Sequence, residues 1–130
     1  MKTILVDAID AFIIKTENDF AIFESMQKIL DTFPNTKIIL TSANDEQFKK
    51  FGLDKMPYTV FTLKHKPEKT DLEYYKKMLE HFNLKVEDVV YFEHNPDAVK
   101  NAQSVGIKTY FWNNEKRPLK ELNLFLESNL

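Results

Sequence analysis

Polar side chains stand directly after the apolar runs of this sequence, where β-strands are expected to end. Asp7 and Asp10 follow the first run. The later runs are followed by hydroxyl, basic, acidic and amide side chains, namely Thr41, Ser42, Lys64, His65, Lys66, Glu93, His94 and Asn95. A carboxylate can act as a nucleophile, hydroxyl and ammonium groups can stabilise an oxyanion, and a further acid can help to hold Mg²⁺. Together these residue types suit phosphoryl transfer.

The same residues also have an ordinary structural interpretation. Strands of every α/β protein run out into solvated loops, so one polar residue at a strand end says nothing about chemistry. Only the joint placement of several such residues predicts a site. The two glycines, Gly52 and Gly106, lie too far apart for a P-loop or a dinucleotide-binding motif. Any bound phosphate must therefore be held by side chains, strand-end amides, helix N-termini or a metal ion.

Five short apolar runs alternate with five helical patterns along the chain. The runs are TILVDAI, KIILTS, YTVFTL, DVVYF and KTYFW, and the helical patterns begin at Phe20, Asn44, Thr70 or Asp71, Asn95 and Pro118. Strands that alternate with helices require right-handed crossovers and form a parallel sheet covered on both faces. The sequence thus predicts a three-layer α/β/α sandwich of the Rossmann type with a five-stranded parallel sheet. In such sheets ligands bind beyond the carboxyl ends of the strands.

The size and charge of the chain limit its organisation and its partners. Its 130 residues suit one domain, 1–130. A net charge of -2 gives no bulk attraction to nucleic acid or to an anionic membrane, so neither is an expected partner. The chain contains no cysteine, which excludes disulfides and thiolate sites. Because Asp7 and Asp10 interrupt the first apolar stretch, neither a signal peptide nor a membrane span is expected, and we predict a cytoplasmic location.

The segment from Lys66 to Trp112 resembles the haloacid dehalogenase (HAD) superfamily, and the likeness extends over nearly the whole chain. The shared features are Lys66-Pro67, a following helix, the strand VVYF that ends in acids, a helix with Ala102, and Gly106-Ile107 before the last strand. This resemblance implies a HAD-like core domain and the phosphate-ester hydrolysis that is typical of the superfamily.

The resemblance also implies a role for each matching residue. Asp7 matches the nucleophile that forms an aspartyl-phosphate, and Thr41 matches the hydroxyl residue that contacts the phosphoryl group. Lys66 matches the lysine that offsets charge between nucleophile and substrate. Glu93 and His94 occupy the place of the acidic pair that, together with Asp7, holds Mg²⁺. The implied substrate is a phosphorylated small molecule or macromolecule.

Two departures from the family pattern affect the expected chemistry. The family has Asp-x-Asp-Gly-Thr, whose second acid protonates the leaving group, whereas here Ile9 stands at that position and Asp10 one place later. Asp10 can be a substitute acid only if the chain bulges or turns there, because neighbouring strand residues point to opposite faces. Losing a general acid lowers the rate by about 10²–10⁴. His94 stands where the family has a metal-binding Asp, and imidazole suits Mg²⁺ poorly, so only weak Mg²⁺ binding is expected.

The spacing of the matched residues leaves no room for a cap domain. Only one helix is predicted between Asp7 and Thr41, and one helix and one strand between Thr41 and Lys66. The site is therefore expected to be open to water, which weakens electrostatic stabilisation of small substrates. An open site favours a macromolecular substrate or a protein partner that covers it.

Two functions remain open on the sequence alone. The first is a slow, phosphatase-like, Mg²⁺-assisted hydrolase. The second is a catalytically inactive binding or scaffold protein with the HAD fold, which the changes at Ile9 and His94 motivate. A third possibility, halide displacement, tolerates a missing second acid. It usually relies on a cap, so it is weaker than the other two. A phosphorelay receiver needs an Asp after the third strand, where this sequence reads FTLKHK, and is set aside.

Overall fold

A parallel sheet of five strands forms the middle layer of the protein, which a computed structural model describes over residues 1–130. The strands are β1 (Thr3–Asp7), β2 (Ile13–Lys15), β3 (Phe20–Ile22), β4 (Lys37–Thr41), β5 (Thr59–Thr62), β6 (Val89–Glu93) and β7 (Lys108–Phe111). The helices are α1 (Glu24–Asp31), α2 (Asp45–Lys50), α3 (Leu72–His81), α4 (Pro96–Val105) and α5 (Leu119–Asn129), with short 3-10 turns at Leu53–Lys55 and Val86–Asp88. The predicted α/β sandwich with five parallel strands is confirmed.

The strand order β5-β4-β1-β6-β7 puts β1 at the centre of the sheet. All five residues of β1 are buried, as the unbroken apolar run at its start requires of a strand covered on both faces. β1 pairs in parallel with β4 on one side and with β6 on the other, and Asp7 stands opposite Leu40. The chain runs outward from β1 in both directions, so the carboxyl end of β1 is the point where strand order reverses.

Two apolar cores lie on the two faces of the sheet. One core joins residues of β1 such as Ile4 to Leu30 of α1 and Leu126 of α5. The other joins Leu5 of β1 to Met78 of α3, and it also includes residues of α4. Helices α1 and α5 contact each other on the first face, and α3 and α4 contact each other on the second. This arrangement gives the three layers, and no further domain is inserted between them.

A β-hairpin follows β1 and is the one element pair that differs from the predicted pattern. β2 and β3 pair antiparallel, with Ile13 opposite Ile22. The residues from Phe20 were expected to begin a helix, but Phe20–Ile22 is a strand and the helix begins at Glu24. A short apolar run fits either element, and here pairing with Ile13–Lys15 decides in favour of the strand. The hairpin brings Ile9 and its neighbours over the end of the sheet.

Helix α4 begins beside the end of β6 and is capped as its sequence predicts. The Asn95 side chain accepts hydrogen bonds from the amides of Asp97 and Ala98, at 2.9 and 3.2 Å, and Pro96 occupies the first turn. Gly106 ends the helix with a φ of 106°, a conformation that favours glycine. No helix of the structure has both the length and the apolar character that a membrane crossing requires.

Candidate functional site

The Asp7 carboxylate lies at the carboxyl end of the central strand and is fully buried. Its Oδ1 accepts a hydrogen bond from Lys69 Nζ at 2.7 Å. Its Oδ2 accepts two bonds from His94, one from the backbone amide at 3.0 Å and one from Nδ1 at 2.5 Å. Burial, followed by the nearby carboxylate of Glu93, raises the pKa of Asp7, while Lys69 and His94 oppose that rise.

Lys69 bridges the two buried carboxylates of the site. Its Nζ donates to Asp7 Oδ1 and to Glu93 Oε1, both at 2.7 Å, and to the carbonyl oxygen of Leu40 at 3.2 Å. These three bonds use all the donors of an ammonium group. Burial works against the charged form, but Asp7 and Glu93 outweigh it and raise the pKa of Lys69 well above its ordinary value. Lys69 is therefore a fixed positive charge within the site.

The prediction that Lys66 supplies this ammonium is wrong, because Lys69 and not Lys66 contacts Asp7 and Glu93. Lys64 and His65 both have positive φ, as the central residues of a type I′ turn do, and the Lys66 amide closes the turn on the Leu63 carbonyl at 2.9 Å. The turn leaves Lys66 exposed to solvent. The chain then folds back, and the Lys69 amide donates to Ser42 Oγ at 2.9 Å. This return places Lys69, three residues later, at the carboxylates.

Glu93 ends β6 and is fully buried beside Asp7. In addition to Lys69, its Oε1 accepts a hydrogen bond from the Tyr91 hydroxyl, and its Oε2 accepts one from the Asn95 amide at 2.9 Å. Burial disfavours the carboxylate, but the Lys69 ammonium and the hydrogen bonds around it hold the pKa of Glu93 far below its usual range. Glu93 is thus a permanent anion that anchors Lys69.

His94 is the second cation of the site. Its Nδ1 lies 2.5 Å from Asp7 Oδ2 and 3.2 Å from Glu93 Oε2, and its Nε2 lies 3.7 Å from Asp10 Oδ2. Burial opposes protonation, but the hydrogen bonds to Asp7 and Glu93 raise the pKa of His94 to about 10. The site therefore contains two buried carboxyl groups, Asp7 and Glu93, paired with two basic side chains, Lys69 and His94. We call these four residues the charged quartet.

Two hydroxyl groups lie beside the quartet at the end of β4. Thr41 Oγ1 accepts a hydrogen bond from the Ala43 amide at 3.2 Å, and Ser42 Oγ accepts one from the Lys69 amide. Neither hydroxyl donates to a protein acceptor, so each O–H is free to donate to a ligand. The structure brings together Asp7, Thr41, Glu93 and His94, as the strand ends led us to expect, whereas Lys66 is outside this group.

The residues after Asp7 show where a second acid could act. The chain turns there, with Asp10 at a positive φ of 68°. The turn points Ile9 into the pocket with Asp7, while Asp10 lies on the far side of His94, beside Asn113 and Glu115. The turn that a substitute acid requires is therefore present, but the carboxylate of Asp10 does not line the pocket over Asp7. An apolar side chain occupies that place.

An open pocket of about 270 Å³ lies over the Asp7 carboxylate. Its lining residues are Asp7, Ile9, Thr41, Ser42, Ala43, Gln47, Phe51, His65, Lys69 and His94. Gln47 and Phe51, which come from α2 and its end, were not predicted as site residues. His65 is held in the pocket wall between Gln47 Oε1 at 2.6 Å and Glu68 Oε1 at 2.7 Å.

Lys69 is the site residue that the sequence interpretation missed. Lys66-Pro67 fitted the family pattern, and the six residues from Lys64 to Lys69 contain three lysines from which to choose. The two turn-forming positions before Lys66 carry no glycine or asparagine that would have revealed positive φ. A signal was present in the position of Lys69, which stands two residues before Asp71, the N-cap of α3, and so lies near the strand ends.

Three solved structures are similar to this fold, and two of them are HAD proteins. A HAD family enzyme from Bacteroides thetaiotaomicron, an aspartate-to-alanine variant in complex with magnesium and inorganic phosphate, is similar with a TM-score of 0.64 at 12% identity, over 88% of this chain and 95% of that one. A HAD-superfamily hydrolase of subfamily IA from Geobacter sulfurreducens gives 0.64 at 13%, over 91% and 88%. An uncharacterized protein from Listeria monocytogenes gives 0.74 at 11%, over 98% of both chains.

The chain therefore has the fold of the haloacid dehalogenase superfamily of hydrolases, in a form without a cap domain. At these low identities the likeness concerns the fold alone. No protein-family model matches the sequence. No curated protein matches it significantly either.

The fold raises the question of a metal ion, because one similar structure contains magnesium. Asp7, Glu93 and His94 each offer a ligand atom, and these atoms lie within 4.8 Å of one another, which is close enough to hold a metal ion. The donor set does not fit Mg²⁺, however. Mg²⁺ demands oxygen ligands in octahedral geometry, one of the three ligands is an imidazole, and the four carboxylate oxygens already accept hydrogen bonds or contact a cation.

Proposed function

We propose that this protein is a slow phosphohydrolase that acts on phosphate monoesters with Asp7 as the nucleophile. One observation carries the proposal: the buried Asp7 carboxylate forms the floor of an open pocket, between two cations and beside two free hydroxyl donors. Phosphoryl transfer requires such positive charge and such donors around the equatorial oxygens of the phosphoryl group.

The hydrogen bonds of Asp7 favour Oδ1 as the attacking atom. Oδ2 accepts two bonds from His94, whereas Oδ1 accepts only the one from Lys69. A carboxylate oxygen has two lone pairs, so Oδ1 keeps one for attack on phosphorus. The new Oδ1–P bond forms as the bond from phosphorus to the leaving oxygen breaks, and the leaving group takes that electron pair. Water then hydrolyses the aspartyl-phosphate and releases inorganic phosphate.

The leaving group receives no direct help from an acid in this pocket. Ile9 lines the pocket where the family's second acid would lie, and Asp10 stands behind His94. An enzyme without its general acid is slower by about 10²–10⁴. The proposal therefore favours substrates whose leaving groups are stable as anions, such as aryl phosphates, over alkyl phosphates.

The openness of the pocket bears on the kind of substrate. No domain covers the site, so the phosphate ester can belong to a small molecule or to an exposed side chain of a macromolecule. A protein partner that covers the pocket would exclude water and strengthen the electrostatic stabilisation by Lys69 and His94. Neither the net charge of -2 nor the pocket residues favour nucleic acid as a partner.

The experiment is to measure hydrolysis of a generic aryl phosphate by the wild type and by Asp7→Asn. Asparagine has nearly the same shape but cannot attack phosphorus, so the variant should fall to the rate of the buffer, a loss of at least about 10³ if wild-type turnover is measurable. His81→Gln, on the far end of α3, serves as the matched control and should keep the wild-type rate. Equal rates for wild type and Asp7→Asn would contradict the proposal.

The second candidate function is a binding protein that no longer catalyses. It is favoured by the hydrogen bonds that already engage both oxygens of Asp7 and by the apolar Ile9 in the pocket. On this hypothesis the same pocket binds a phosphorylated ligand and releases it unchanged. The aryl phosphate assay separates the two candidates, because a binding protein gives no turnover above the buffer in any divalent metal salt.

A further inference from the structure

We propose that Lys69 and His94 together replace the divalent cation of this fold, so that the pocket binds phosphate groups without any metal ion. The inference rests on the proposed use of the pocket for phosphate esters and extends it to the way the pocket handles charge. It is carried by the geometry of the charged quartet.

The carboxylate oxygens that a metal ion would need already contact protein cations. Lys69 Nζ lies 2.7 Å from both Asp7 Oδ1 and Glu93 Oε1. His94 lies 2.5 Å from Asp7 Oδ2 and 3.2 Å from Glu93 Oε2. A cation that entered between the carboxylates would have to displace Lys69 or His94 from a buried ion pair, and breaking such a pair leaves an uncompensated charge.

The charges of the quartet balance without a metal ion. Lys69 balances one carboxylate, and Asp7 and His94 are joined by a hydrogen bond whose pair has no net charge whichever of the two holds the proton, so the quartet is neutral as it stands. Two monovalent cations supply the same total charge as one divalent cation. Adding a divalent ion to the intact quartet would leave a net charge of plus two in a largely buried volume, where desolvation is costly. The protein has thus built the positive charge into its own side chains.

Hydrogen-bond donors for an anion remain at the pocket over Asp7. Lys69 spends its three N–H groups on protein oxygens, so it contributes charge and no bond. His94 likewise engages Asp7 through Nδ1, and its Nε2 lies 3.7 Å from Asp10 Oδ2, on the side of His94 away from this pocket. The free hydroxyls of Thr41 and Ser42 therefore give two donors at the pocket for phosphate oxygens.

The experiment measures inorganic phosphate binding to the wild-type protein by isothermal titration calorimetry, once in excess EDTA and once in saturating Mg²⁺. We expect the two dissociation constants to agree within about twofold. Mg²⁺ alone should not raise the melting temperature of the wild type, because a ligand that does not bind the folded state gives no stabilisation. Binding that EDTA weakens by about tenfold or more overturns the inference, and so does an absence of phosphate binding in both buffers.

The variant His94→Asp supplies the converse result. It puts a third carboxylate beside Asp7 and Glu93 and removes one cation, which produces an oxygen donor set that suits Mg²⁺. Its phosphate binding should become dependent on Mg²⁺ by at least about tenfold, and Mg²⁺ should raise its melting temperature. His81→Asp is the matched control and should bind phosphate as the wild type does in both buffers. A His94→Asp protein that binds phosphate equally with and without Mg²⁺ would overturn the inference.

These results are separable from those that test hydrolysis. If Asp7→Asn and the wild type hydrolyse the aryl phosphate equally while the wild type binds phosphate in EDTA, the proposed catalysis fails and the metal-free site stands. If the wild type turns over the aryl phosphate only with Mg²⁺ and loses phosphate binding in EDTA, the metal-free site fails and the catalysis stands.

Discussion

Lys69 is the single residue on which the electrostatics of the site depends most. It pairs with two fully buried carboxylates, Asp7 and Glu93, and its own side chain is only 14% exposed. Lys69→Met removes the charge and keeps most of the side-chain volume. We expect the free energy of unfolding at neutral pH to fall by about 3–5 kcal/mol, the usual result of removing one partner from a buried ion pair. Urea unfolding followed by circular dichroism measures this change.

Lys66→Met is the control for this prediction, because Lys66 is an exposed lysine in the same loop. It should change the free energy of unfolding by less than about 0.5 kcal/mol. Equal effects of the two substitutions would mean that Lys69 does not hold the carboxylates in solution.

The residues at the strand ends were predictable because topology alone brings them together. Asp7, Thr41, Glu93 and His94 end or follow neighbouring parallel strands, so any arrangement of this sheet puts them at one edge. The lysine was not predictable in the same way. Its position depends on a turn with two residues of positive φ, and nothing in the sequence of that loop marks the turn.

At the scale of elements, the start of helix α4 links secondary structure to the site. Asn95 caps the helix with its side chain, and its amide donates to Glu93 Oε2. Asn95→Ala removes the side-chain cap and should lower the free energy of unfolding by about 1 kcal/mol. Asn95→Ser keeps a capping oxygen and should lie within a few tenths of the wild type. Thermal and urea unfolding of both variants provide the measurement.

The contrary outcome for this element is equally clear. If Asn95→Ala and Asn95→Ser are destabilised to the same extent, the cap contributes nothing and the loss comes from elsewhere in the loop. Since both variants keep the backbone amide that bonds to Glu93, neither should change the charged quartet.

The elements differed from expectation only where apolar runs were short. The strands of the central sheet were recognisable because their apolar runs are continuous and bounded by polar loops. The hairpin was missed because Phe20–Ile22 has three residues, too few for its period to distinguish a strand from the first turn of a helix. Pairing with a strand only a few residues earlier in the chain decided its conformation.

At the scale of the whole molecule, His94 should make stability depend on pH. Its pKa rises from 6.5 to about 10 on folding, because hydrogen bonds to Asp7 and Glu93 outweigh the effect of burial. A raised pKa in the folded state means that the stabilisation is complete below pH 6.5 and is lost as the pH rises towards 10. We expect the free energy of unfolding to fall across this range, measured by urea titrations at a series of pH values.

His94→Gln is the comparison that isolates this effect. Glutamine cannot gain a proton, so the fall between pH 6.5 and about 10 should be flatter in the variant. Groups that do not contact His94 contribute equally to both proteins and cancel in the difference. A wild type and a variant with parallel pH profiles would show that the imidazole is not protonated preferentially in the folded state.

The strand order determines which parts of the quartet share the same local stability. Asp7 and Glu93 belong to β1 and β6, which have neighbours on both sides, whereas Lys69 stands in the loop that follows the edge strand β5. Local opening of the edge strand β5 would move the Lys69 ammonium away from the pocket and leave the carboxylates of Asp7 and Glu93 in place. Each such opening would turn a neutral pocket into a negatively charged one that repels anions. The fraction of molecules able to bind an anion therefore depends on how often β5 opens.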